Sequence, residues 1–153
     1  MSAPRSAPEQ GLDPRGVRFT AAVTSGVLAL GLVTTSWRVL AAQTALFALC
    51  AFAGVRSNPW GQLYRGAVQP RLPALRESER EDPEPVRFAQ GVGFAFALVA
   101  TVGYAAGWTP LGLVANALAL VAALLNAAFG YCLGCRLHAL LVRFAPAGRS
   151  GPT

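Results

Sequence analysis

The stretch 111-LGLVANALALVAALLNAAF-129 carries no charged residue, and its only polar side chains are Asn116 and Asn126. A helix of this composition has no wet face, so it is either buried all round or immersed in lipid. At 1.5 Å per residue it reaches across a hydrocarbon core about 30 Å thick. Three further stretches repeat the pattern: 17-VRFTAAVTSGVLALGLVTT-35, 39-VLAAQTALFALCAFAGV-55 and 88-FAQGVGFAFALVATVGYAAG-107. The second is the shortest and must borrow residues at its ends. A soluble bundle would have to bury all four on every side at once. The expected fold is therefore all-α, a four-helix integral membrane protein built from two tandem transmembrane hairpins.

Composition agrees. Of 153 residues, 13% are charged and 54% apolar, whereas a soluble domain devotes about a quarter of its residues to charge. The first apolar stretch is not read as a removable leader. The segment 15-RGVRF-19 lacks a short charged region followed directly by an apolar core, and three comparable segments follow.

All thirteen basic residues are arginine. Arg5, Arg15 and Arg18 precede the first apolar stretch; Arg56, Arg65, Arg71, Arg76, Arg80 and Arg87 lie between the second and third; Arg136, Arg143 and Arg149 follow the fourth. Arg38 alone occupies the first short turn, and 107-GWTP-110 has no basic residue. Positive-inside reasoning places both termini and the central segment in the cytoplasm of a multi-pass cell-membrane protein. The formal charge of +6 is then accounted for by topology and by anionic membrane lipid, and no nucleic-acid partner is expected.

The chain divides into a polar tail over residues 1–11, a membrane domain over 12–144 and a second tail over 145–153. Within the domain, 13-DPRGVRF-19 and 82-DPEPVRF-88 align 69 residues apart. Each precedes an apolar stretch, a short turn with Trp37 or Trp108, and a second apolar stretch. This reads as an internal repeat, 12–72 and 81–144, linked by 73–80. Two crossings per unit leave both copies pointing the same way, about an axis near the membrane normal.

The repeated motif has a local explanation. Aspartate caps a helix N-terminus and proline fits its first turn, so Asp13 with Pro14 and Asp82 with Pro83 start the first and third helices. Arg18 and Arg87 then fall one turn on, where they can reach lipid phosphate or a neighbouring carboxylate. Gln43, Gln90, Asn116 and Asn126 interrupt the apolar runs and should face other helices. Gln90 and Asn126 lie towards the expected cytoplasmic end, on the side of the cysteines. The central segment reads as an interfacial amphipathic stretch over 60-WGQLYRGAVQPRL-72, followed by the solvated charged run 76-RESEREDPE-84.

That cysteine segment is 130-GYCLGCRLH-138. Cys132 and Cys135 have CxxC spacing, and Gly130 can supply a bend before a short surface helix bearing Leu137, Leu140, Leu141 and Phe144 on one side. If Cys132 precedes that helix and Cys135 lies in its first turn, exposed amides and Arg136 favour a thiolate. His138, the only histidine, follows Cys135 by three residues and could move the proton in thiol exchange, which makes Cys132, Cys135 and His138 the candidate catalytic set. Metal binding competes, but a closed zinc site wants four ligands and no second CxxC exists, so neither metal nor cofactor is assigned. A dimer could pool two pairs. Two structural cysteines are the third reading. Cys50 reads as a small buried residue.

The ordered motifs DPRGVRF, NPWGQLYR, QPRL, DPEPVRFAQ and FGYCLGC make residues 12–144 resemble a family of small bacterial membrane proteins, best known from actinobacteria, called domain of unknown function 4395. The resemblance implies companionship with thioredoxin-like or sulfurtransferase-like proteins and no established reaction. Three functions follow as expectations. The first is a cytoplasmic-face dithiol exchanging electrons or sulfur with such a partner. The second is a transporter of small solutes or sulfur compounds, acting as a homo-oligomer. The third is a non-catalytic membrane docking partner.

Overall fold

The computed structural model describes residues 11–144. Residues 1–10 of the expected tail over 1–11, and the whole of the tail over 145–153, lie outside the described residues. Gly11, the last residue of the expected N-terminal tail, is held in place: its carbonyl accepts a hydrogen bond from Arg80 Nη1 at 3.1 Å.

The protein is all-α, with no strand among the described residues beyond one isolated antiparallel bridge, Leu12 with Glu81. Helix α1 spans Pro14–Thr34 and α2 spans Trp37–Ala48, continued by a wider π-helical turn over Leu49–Ala53. A short α3, Pro59–Leu63, leads through a π-helical turn into the central loop. Helices α4, Pro83–Ala105, and α5, Thr109–Phe129, form the second hairpin, and α6, Leu133–Arg143, closes the chain. Three of these, α1, α4 and α5, are long and apolar enough to cross a membrane. The apolar helix over Trp37–Ala53 is shorter, about 25 Å at helical rise.

The starts of α1 and α4 follow from the Asp-Pro motifs. Asp13 accepts the Arg15 N–H and Asp82 accepts the Glu84 N–H, each with proline in the first turn. Each hairpin's second helix ends at a glycine with positive φ, Gly54 at 111° and Gly130 at 66°, conformations in which a side chain would be strained.

Around the bundle the order is α1, α2, α4, α5, with α1 closing against α5. Leu28, Leu40, Phe47, Ala97, Ala100, Tyr104, Ala115 and Ala119 form the core. Outward faces are as apolar as the inside: Val33, Phe52, Val114 and Phe129 are all exposed. In lipid, apolar burial gives no preference for helix over solvent, so close packing and polar contacts must hold the helices. Both are present. A Cβ on Gly103 would lie 2.6 Å from the Gly112 nitrogen, so the α4 and α5 backbones touch there. Thr44 and Thr101 pair their hydroxyls at 3.0 Å between α2 and α4, and Asn116 donates to the Tyr104 hydroxyl at 3.2 Å.

Two expectations are corrected. Tyr64 is not an interfacial residue but is buried beneath α1, where its ring fills the space that a side chain at Gly16 would take. Its hydroxyl donates to Asp13 Oδ2 at 3.1 Å. The charged run after residue 75 is not wholly solvated, because Glu81 pairs its backbone with Leu12 in both directions. Cys50 is buried as expected, in the π-helical turn near the end of its helix.

Candidate functional site

The cysteine pair sits where α5 gives way to α6. Gly130 ends α5 in the left-handed conformation, and Cys132, in extended backbone, is the N-cap of α6. Its Sγ accepts the Cys135 backbone N–H at 3.1 Å. The two cysteines form a disulfide, with Cα atoms 5.2 Å apart. Gly134 allows this arrangement to lie against α4: a Cβ there would stand 2.6 Å from the Cα of Ala89. On opening of the disulfide, a thiolate at Cys132 would keep the amide of the first helical turn, the environment that stabilises sulfur anions.

Cys132 faces inward. It lines a partly open cavity of about 280 Å³ between α1, α2, α4, α5 and α6, whose walls include Phe47, Phe96, Ala122, Gln90 and Asn126. The two amides thus share a space with the cysteine. His138 does not line it. Its ring lies 5.4 Å from that of Phe88, and it borders a separate groove with Phe52 and Arg87. Arg136 stacks its guanidinium over the Tyr131 ring at 4.6 Å, beside the pair.

The remaining candidates hold the scaffold. Arg18 donates to the carbonyls of Ala127 and Ala128 at the end of α5, and Arg87 donates to those of Ala51 and Phe52 at the end of α2. Neither is drawn to a carboxylate; each satisfies carbonyls that a helix end leaves open, with the favourable sign for its dipole. Asp13 is the centre of a network absent from the sequence reading. Arg15 binds it bidentately at 3.1 and 3.0 Å, and Tyr64 and Gln69 complete it. Burial raises its carboxyl, but the hydrogen bonds from Arg15 and Tyr64 outweigh that and leave it below its ordinary value. The spacing Asp13, Gly16, with a tyrosine in the following polar segment, was the only trace of this network in the sequence. No group of three His, Cys, Asp or Glu side chains among the described residues is placed to hold a metal ion.

A family model described as "Domain of unknown function (DUF4395)" matches residues 12–143. The chain belongs to that family. The DUF4395 match covers every helix described above, and both the Asp-Pro motifs and the cysteine pair fall inside it. Comparisons of this DUF4395 chain with curated proteins and with solved structures give no match.

Proposed function

We propose that this DUF4395 protein is a membrane dithiol, with Cys132 and Cys135 exchanging electrons or sulfur with a soluble thioredoxin-like or sulfurtransferase-like partner at the cytoplasmic face. The observation that carries the reading is the placement of the pair: Cys132 caps α6, Cys135 lies in its first turn, and the two are within bonding distance. Attack on one sulfur by a partner thiolate opens such a bond through a mixed disulfide, and the second sulfur resolves it.

Four crossings are part of the same proposal, the apolar helix over Trp37–Ala53 serving as the second, with both termini and the central loop in the cytoplasm. The arginine distribution supports this orientation. The proposed tandem repeat is supported by the reciprocal capping of α5 by Arg18 and of α2 by Arg87, since these arginines are equivalent in the two motifs.

The test is exchange between the reduced full-length protein and a thioredoxin-like protein, followed by trapping of the mixed disulfide. Cys132→Ser and Cys135→Ser should each abolish turnover while leaving membrane insertion intact. Undiminished exchange by the double serine variant would remove the reading.

A further inference from the structure

Cys132 has two exposures of different character. It stands at the head of a helix, and it also lines the cavity of about 280 Å³ between the helices. Most of the cavity wall is apolar: Phe47 from α2, Phe96 from α4, Leu118 and Ala122 from α5, Leu137 from α6. The exceptions near the cysteine are the amides of Gln90 and Asn126. Neither side-chain amide makes a hydrogen bond within the described residues. An occupant suited to this lining is soluble in lipid, can accept hydrogen bonds from the N–H groups of those amides, and lies beside Cys132.

We propose that the cavity takes the head group of a membrane-soluble quinone, which acts as the electron acceptor for the Cys132–Cys135 dithiol. This rests on the dithiol reading above and names its second substrate. A quinone is apolar, carries two carbonyl acceptors and takes up two electrons, the number released when two thiols become a disulfide. The step balances: the two S–H bonds break, one S–S bond forms, and two electrons and two protons convert the quinone carbonyls to the hydroxyls of a quinol. Gln90 and Asn126 donate hydrogen bonds to the carbonyls and are positioning residues for the ring. Cys132, the cysteine that lines the cavity, is the sulfur that meets it.

The test uses the full-length protein in lipid nanodiscs, reduced, freed of reductant and kept under nitrogen. Duroquinone is the probe, because its fully substituted ring resists thiol addition. Quinol formation and thiol loss are followed together, and one quinol should appear for each pair of thiols lost. Ala122→Leu, which fills the cavity, and Asn126→Leu, which removes a donor, should each slow this reaction at least about tenfold. Both, in their disulfide form, should be reduced by dithiothreitol at the unaltered rate, which reports an intact site. Equal duroquinone rates in all three proteins would overturn the proposal. So would a protein that exchanges with dithiothreitol but passes no electrons to duroquinone, and that result would leave the dithiol reading standing. Failure to exchange with dithiothreitol would instead remove the dithiol reading itself.

Discussion

Leu12 and Glu81 exchange both of their backbone hydrogen bonds, at 2.7 and 2.8 Å, and they stand 69 residues apart, the spacing of the two Asp-Pro motifs. In the proposed repeat each is the other's counterpart. Self-pairing of equivalent residues is the signature of an isologous contact, here within one chain. The bridge ties the start of α1 to the start of α4 and brings Gly11 under Arg80. Proline at position 12 would remove the donor of one of these bonds. Leu12→Pro should cost about 1 to 3 kcal/mol, seen as a lower unfolding midpoint, whereas Leu12→Val should leave both bonds in place.

Asp13 gives the fold an acid limit. Its carboxyl lies below the ordinary 3.8 in the folded protein, so its contribution is fully present above the unfolded value and disappears as pH falls through the folded one. Unfolding midpoints measured from about pH 6 down to about pH 2 should fall steeply at the acid end. Asp13→Asn should flatten that acid limb and lower stability at neutral pH, because the Arg15 guanidinium loses its charge partner. An unchanged acid limb would show that other carboxylates dominate.

Gly134 is where α6 lies directly against α4. With Ala89 Cα 2.6 Å from the place of a Cβ, Gly134→Val must push the helix away. The expected loss is about 1 to 3 kcal/mol, with faster alkylation of the reduced cysteines. Gly66 is the internal control. Nothing lies within 4 Å of a Cβ there, so Gly66→Ala should be neutral or slightly stabilising.

Cys132 has a structural duty separable from its chemistry. A serine hydroxyl can take over acceptance of the Cys135 N–H, whereas alanine cannot. Measured against the reduced protein, hydrogen exchange over residues 133–143 should be unaltered in Cys132→Ser and faster in Cys132→Ala, by an amount equivalent to about 1 kcal/mol. If the two variants exchange alike, the cap contributes nothing.

What was legible in the sequence was whatever leaves a mark in composition or in a local motif. Uncharged runs gave the long helices, and aspartate followed by proline gave the starts of α1 and α4, because capping depends on neighbours in sequence. The bend at Gly130 and the cap at Cys132 were legible for the same reason. The π-helical end of α2 was not, since widening a turn over Leu49–Ala53 needs no particular residue. Nor were the partners of Arg18 and Arg87. Both were read towards phosphate or carboxylate, but the open carbonyls belong to helices that only the tertiary arrangement brings near. Tyr64 misled because a tyrosine beside arginines looks interfacial until its hydroxyl finds Asp13 across 51 positions of chain. The cavity beside Cys132 has the same origin. Its walls come from five helices, and no single segment advertises it.

The crossed arginines also set a timetable for biogenesis. As the chain emerges, α2 is completed before Arg87 exists to close its Ala51 and Phe52 carbonyls, while Arg18 waits unused until the end of α5 arrives. The first half made alone would thus leave one helix end unsealed and one guanidinium idle, and quality-control proteases should degrade it unless the second half is supplied in the same cell.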